Sequence, residues 1–415
     1  MDRETPRKFA TPPGTRDVLP PESTRLLDVQ ARIRDRFNLF GFREVLTPAL
    51  EYSEVIEEHG LRDVSYKLFD QDNQMLFLRP EMTTPIARLI SKRLAGGPPP
   101  HKLSYVLPAY RRASVGRGQS AELYQAGVEV VGSASPREDA STIALLVDVL
   151  QSLGLSAPAD FAVVLGQSSF YAGYLKHAAP DAAAAVTAAL AAKDLVAVDA
   201  IAGELPADAA AGVRGIPRIV GPATDGSIIQ EAGRFAVGEE AEEALANLRE
   251  ILRHLEAHGA LGAVILDLGL SGRHEYYTGA VYEAYASGLG FTVANGGRYD
   301  NLLKRFGKEL PATGFAIYLE RLLSVLPEEG QRPLLVLVGG DVGGIQAASA
   351  LRKLGVPVLH LCEEIPPEVA HEYARSVDAA WISYPAPGGV KLATADPAGE
   401  FVFMSHESVV RTVLT

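Results

Sequence analysis

Gln125, Gly127 and Glu129 alternate along Glu122–Val131, so on a strand they share one face while Tyr124, Ala126, Val128 and Val130 share the other. An amide, a bare backbone and a carboxylate in a row suit a small polar ligand, with the glycine leaving room. A wetted side of an antiparallel sheet has the same pattern. Glu81 follows Pro80 in Leu78-Arg79-Pro80-Glu81-Met82-Thr83-Thr84, where Pro80 can open a helix. A carboxylate in that first turn fits either the helix dipole or a ligand cation. Arg111 and Arg112 close a strand and Arg117 follows, a cluster suited to an anion or to solvent. Tyr276-Tyr277 adjoins a strand pattern, and Gly296-Gly297 permits either a turn or close approach of a ligand to the backbone. There is no HExxH, paired-cysteine, GxxxxGK[ST] or GxSxG motif, and the nine histidines show no metal-ligand spacing.

The elements that must position these residues are read from periodicity. Leu26, Leu27, Val29, Ile33, Phe37 and Phe40 give helical spacing from Glu22, with Gly41 as the stop. A strand-like stretch from Phe42 to Leu50 is broken by Pro48, and Tyr66–Phe69 with Met75–Leu78 reads as a hairpin. Pro80 to Leu94 is helical, and Leu103–Arg112 and Glu122–Val131 are strands. Asp181–Ala192 is nearly all alanine and Ala244–Leu255 puts five aliphatic residues on one face, so residues 171–259 read as a helical insertion with an irregular piece around Gly215–Gly226. Strands resume at Val264–Leu268 and Tyr276–Tyr285, followed by a glycine-rich turn and a helix Phe315–Leu326. Pro327–Pro333 is a linker to a small α/β unit. The division is a core of residues 1–170 and 260–330, the insertion 171–259, and a C-terminal domain 331–415. The class is α+β.

At 415 residues, 47% hydrophobic and 22% charged, the chain is long enough for two or three packed domains, and global disorder is excluded. The net charge of -12 opposes a surface made for phosphates, and one cysteine excludes an internal disulfide or a cysteine-built zinc site. No apolar run reaches the ~20 residues that span a bilayer, so no membrane role is expected. The expected compartment is the cytoplasm.

Pro13–Pro20, Gly41–Pro48, Leu78–Thr84, Tyr110–Glu129, Tyr276–Glu283, Gly296–Leu302 and Gly314–Leu322 resemble, in order, successive segments of histidyl-tRNA synthetase. The resemblance implies a class II synthetase core, an antiparallel sheet flanked by helices, self-dimerising around Phe42–Pro48. It departs from that family at nucleotide-handling positions. Ala113 stands for a carboxylate, Ala121 for a basic residue and Tyr318 for a glycine against which ATP packs. Gly272 falls where the synthetases carry a catalytic arginine, with Arg273 one residue late. The histidine-gripping positions are kept. Glu81 and Thr83 are implied to hold the α-amino group, and Gln125 the carboxylate or amino end. Glu129 and Tyr277 are implied to face the imidazole, with Gly296 and Gly297 over it; Arg111 and Tyr276 complete the set.

Histidine retained with ATP chemistry lost is the pattern of the synthetase-like regulatory subunits of ATP phosphoribosyltransferase. That resemblance implies a non-enzymatic regulator without cofactor. Its implied partner is the short catalytic subunit in a hetero-octamer, in the first step of histidine biosynthesis, with feedback by free histidine. The alternative is an active histidyl-tRNA synthetase. Residues 331–415 hold six basic and nine acidic side chains, which disfavours tRNA; they resemble a degenerate anticodon-binding domain.

Overall fold

The computed structural model describes residues 9–112, 120–270, 277–327, 334–396 and 399–414. Ala113, Arg117, Gly272, Arg273 and Tyr276, singled out above, lie outside the described residues. Helix α1 (Glu22–Leu39) buries Val29, Ile33 and Phe37, one face at intervals of four, and ends before Gly41 at φ +80°. The strand expected over Phe42–Leu50 is only two short pieces, β1 (Arg43–Glu44) and β2 (Leu50–Tyr52), because Thr47 and Pro48 direct their carbonyls to the buried Arg79 guanidinium. After α2 (His59–Val64), β3 (Lys67–Phe69) and β4 (Met75–Leu78) form the expected hairpin, and β2 adds to make a three-stranded sheet.

Helix α3 (Thr83–Leu89) starts three residues later than Pro80. The Pro80 carbonyl is already committed to Arg111 Nε at 2.7 Å, so it cannot open a helical ladder. Strands β5 (His101–Tyr110) and β6 (Glu122–Val131) follow, then α4 (Pro136–Ser152), capped by Ser135, and β7 (Phe161–Gln167). The chain continues through α5 (Ser168–Ala178), α6 (Ala183–Ala191), α7 (Leu195–Ala202) and α8 (Ala207–Gly215). The stretch expected to be irregular contains β8 (Val220–Pro222), followed by α9 (Gly226–Gly233) and α10 (Glu239–Ala257). The chain then forms β9 (Val264–Asp267), β10 (Ala280–Ala286), β11 (Thr292–Arg298), β12 (Ala312–Tyr318) and α11 (Leu319–Leu323). Two expectations fail here. Gly296-Gly297 lies inside a central strand rather than in a turn, and Phe315–Tyr318 is strand, with helix only from Leu319. Both segments are held by cross-strand pairing, which local periodicity does not register.

The large sheet has the order β1-β5-β6-β12-β11-β10-β7-β9-β8, antiparallel except for the β1–β5 and β7–β9 pairs. Ala126, Val128, Ala294, Phe315 and Ile317 share its apolar face and a core with α1 and α4; the Phe37 and Phe315 rings meet edge-on at 6.0 Å. The opposite face of β6, β12 and β11 carries the polar residues.

The chain divides into two compact units, Met1–Val18 with Leu26–Pro327, and Leu19–Arg25 with Glu328–Thr415. The C-terminal part of the second has β13 (Leu335–Val338), α12 (Val342–Lys353), β14 (Val358–Leu361), α13 (Pro367–Ser376), β15 (Trp381–Ala386), β16 (Gly389–Thr394), β17 (Val402–Met404) and α14 (His406–Val413). Its sheet runs β14-β13-β15-β16-β17.

Candidate ligand site

Register assembles the site. In β6 and β12, Gln125 pairs with Tyr318, Gly127 with Ala316 and Glu129 with Gly314; Ala316 pairs onward with Asn295 of β11. Paired residues share a face, so these side chains open into one cleft. Its other walls include Glu81, Thr83, Tyr105, Arg111, Tyr277 and Tyr299. Gln125 and Glu129 are only 2% and 1% exposed, so this face of the strand is buried at the cleft and not a wetted side of the sheet.

Glu81 takes the N–H of Thr83 on one carboxylate oxygen (2.6 Å) and that of Thr84 on the other (2.9 Å). It therefore caps α3 from outside instead of lying in its first turn, and presents its remaining lone pairs to the cleft. Glu129 lies deeper. Burial pushes its carboxyl up to about 8, with nearby Glu81 adding to the rise, while the Tyr299 and Thr83 hydroxyls pull the other way. Tyr299 donates its hydroxyl to Glu129 Oε2. Near pH 7 Glu129 is thus a protonated carboxyl, able to donate to a ligand nitrogen or to ionise beside a ligand cation. Burial likewise raises the Tyr105 and Tyr277 phenols above their ordinary value, so both remain protonated.

Several residues behave differently from expectation. Gly127 leaves room for Tyr105 rather than for a ligand: a Cβ there would meet the Phe315 carbonyl oxygen at 2.2 Å and the Tyr105 hydroxyl at 2.4 Å. Gly297 does the same for the Tyr277 ring, at 2.7 Å. Gly296 lines the cleft through its backbone only, because its own Cβ direction points at Phe315 and Tyr282. Tyr277 precedes β10 instead of lying on a strand. Sequence reasoning missed Tyr105, Asn295 and Tyr299. A tyrosine opposite a mid-strand glycine, Tyr105 across from Gly127, was the available signal for the first. Among the described residues no group of three or more His, Cys, Asp or Glu side chains could hold a metal, and no helix is long and apolar enough to cross a membrane.

At the rim, the Arg321 guanidinium lies 4.4 Å from the Tyr318 ring centroid and 5.6 Å from that of Phe291, and donates to the Thr292 carbonyl at 2.9 Å. Cation–π contact on both rings holds the arginine in place.

Residues 14–322 match the family profile described as histidyl-tRNA synthetase. A protein of Rubrobacter xylanophilus named ATP phosphoribosyltransferase regulatory subunit is 65% identical over 414 residues, covering the full length of both chains. The chain belongs to the family of ATP phosphoribosyltransferase regulatory subunits. A second member of that family, from Symbiobacterium thermophilum, is 37% identical over 90% of this chain and 96% of its own. A crystal structure described as an ATP phosphoribosyltransferase regulatory subunit/histidyl-tRNA synthetase from Bacillus halodurans is 28% identical. It superposes with a TM-score of 0.80 over 92% of this chain and 99% of that one. The histidyl-tRNA synthetase of Nostoc sp. PCC 7120, at 20% identity, shares the fold with a TM-score of 0.82 over 97% of this chain and 99% of its own. The class II synthetase-like α+β fold expected from the sequence is therefore the one observed.

Proposed function

We propose that this chain is a non-catalytic regulator that binds free histidine in the cleft and passes its occupancy to the short catalytic subunit of ATP phosphoribosyltransferase. It would serve the first step of histidine biosynthesis and its feedback control. The observation that carries this reading is the cleft's composition. Two buried carboxyl groups, Glu81 and Glu129, and the amide of Gln125 face a space that a cationic, donor-rich amino acid matches. Inhibition further requires histidine to favour one conformation of the complex over another. The hetero-octamer, the self-dimer around Phe42–Pro48 and the reading of the C-terminal unit as a degenerate anticodon-binding domain belong to the same proposal. So does the loss of synthetase activity. Tyr318, where the synthetases have glycine, lays its ring on Arg321, and Phe291 covers the same guanidinium.

Thr292–Arg298 is strand β11, paired on both sides, so that stretch cannot serve as a loop that closes over the ligand. The test is reconstitution with the short catalytic subunit. Turnover should rise on mixing and fall again with histidine, while histidine-dependent ATP–pyrophosphate exchange by the chain alone stays at background. Robust exchange would instead favour an active synthetase.

A further inference from the structure

Asn295 sits on β11 in the middle of the large sheet, only 8% exposed, and lines the cleft. Its carbonyl oxygen, Oδ1, is buried without a hydrogen-bond partner, as is Oε1 of Gln125. A buried acceptor left unsatisfied is costly, and in native structures such a group calls for a donor that arrives later. Geometry says which donor. Asn295 and Glu129 stand on strands two spacings apart, about 10 Å, on either side of β12. Their registers are offset by two residues, since Asn295 pairs with Ala316 and Glu129 with Gly314. The floor between them is Gly314 and Ala316, and a Cβ on Gly314 would strike Glu129 Oε2 at 2.1 Å, so the floor must stay flat.

A planar five-membered ring laid on that floor has one nitrogen toward each wall. We propose that Asn295 is the second anchor of the ligand's imidazole, its Oδ1 accepting the ring N–H while the Glu129 carboxyl engages the other ring nitrogen. The inference rests on the histidine reading above and adds a specificity determinant to it. Tyr299 donates to Glu129 Oε2 and the Thr83 hydroxyl also bonds the carboxyl, so the ring shares Glu129 with both. With the carboxyl protonated, Glu129 donates to the bare ring nitrogen, and the remaining N–H needs an acceptor opposite; Asn295 Oδ1 is that acceptor.

Isothermal titration of the full chain with histidine and with its two ring-N-methylated isomers tests this. Asn295→Ala should weaken histidine about tenfold, the value of a buried hydrogen bond. One of the two methylated isomers should bind Asn295→Ala better than the unaltered chain, its methyl group filling the space vacated, while the other is rejected by both. Asn295→Asp, which keeps the acceptor in the same place, should retain binding. If alanine disturbs the strand, Asn295→Ser repeats the measurement with a side chain too short to reach the ring. Unchanged histidine affinity in Asn295→Ala, or loss in Asn295→Asp as well, would overturn the assignment while leaving the histidine reading standing. No heat from histidine on the unaltered chain would overturn both.

Discussion

Glu129→Gln should weaken histidine binding by about tenfold, because an amide cannot exchange a proton with the ring as the carboxyl does, and should also make the fold more stable at alkaline pH. The two effects have one cause. The Glu129 carboxyl is raised to about 8 in the folded chain from an ordinary 4.5. Between those values the folded state keeps a proton that the unfolded state has released. Stability from this group is fully present below 4.5 and is lost as pH rises toward 8, at up to about 1.4 kcal/mol per pH unit. Glutamine carries no such dependence. Urea midpoints at pH 6, 7.5 and 9 should therefore fall with pH in the unaltered chain and stay nearly level in the variant; parallel curves would show that Glu129 is ionised throughout.

The same proton shapes ligand affinity. The complex needs one proton between Glu129 and the ring. Below the free ring's ~6.5 both ring nitrogens and the carboxyl are protonated, and above about 8 the carboxyl and one ring nitrogen are both bare, so affinity should peak between the two. The charged and titratable groups that share the cleft with Glu129 are Glu81, Tyr105, Arg111, Tyr277, Tyr299 and Tyr318. Glu81 is the carboxylate among them that adds to the rise, and the two hydroxyls that oppose it are those of Thr83 and Tyr299.

Arg298→Met should destabilise the large unit by about 3–5 kcal/mol, the usual result of stranding one partner of a buried ion pair. Arg298 grips Asp139 of α4 at 2.8 Å and Asp300 at 3.1 Å, and donates to the Ser133 carbonyl at 3.0 Å; Asp139 is wholly buried. The double variant Arg298→Met/Asp139→Leu should recover much of the loss, because it removes both charges from the interior. Chemical denaturation of the single and double variants checks this, and a single variant as stable as the unaltered chain would refute it. The cluster also steadies the cleft. Thr278 donates its N–H to the Arg298 carbonyl and its hydroxyl oxygen accepts the Asp300 N–H, so the chain on either side of Tyr277 and Tyr299 is tied to one point.

Where local chemistry decides an element, the sequence shows it. The α1 stripe with Gly41, the hairpin of β3 and β4, and the long antiparallel pair β5–β6 are all legible from periodicity and turn residues. Gly296-Gly297 was not, because a double glycine is ambiguous until its neighbours are known. Here both neighbours are strands, whose close approach is why no side chain fits. The strand Phe315–Tyr318 runs into Leu319-Glu320-Arg321, and its apolar spacing passes equally for helix. Within the cleft, Glu81, Thr83, Arg111, Gln125, Glu129, Tyr277 and Gly296 do line one space. Gly297 serves the packing of Tyr277 instead. Asn295 escaped notice because an asparagine before two glycines reads as turn chemistry until the strand register puts its amide on the floor's edge.

The chain has a single tryptophan, Trp381, on β15 of the C-terminal unit, whereas the cleft is walled by tyrosines. Indole emission is therefore silent to contact at the cleft itself. A wavelength shift on adding an amino acid would report a change around β15, so the natural fluorophore reads the response of the C-terminal unit rather than the occupancy of the cleft.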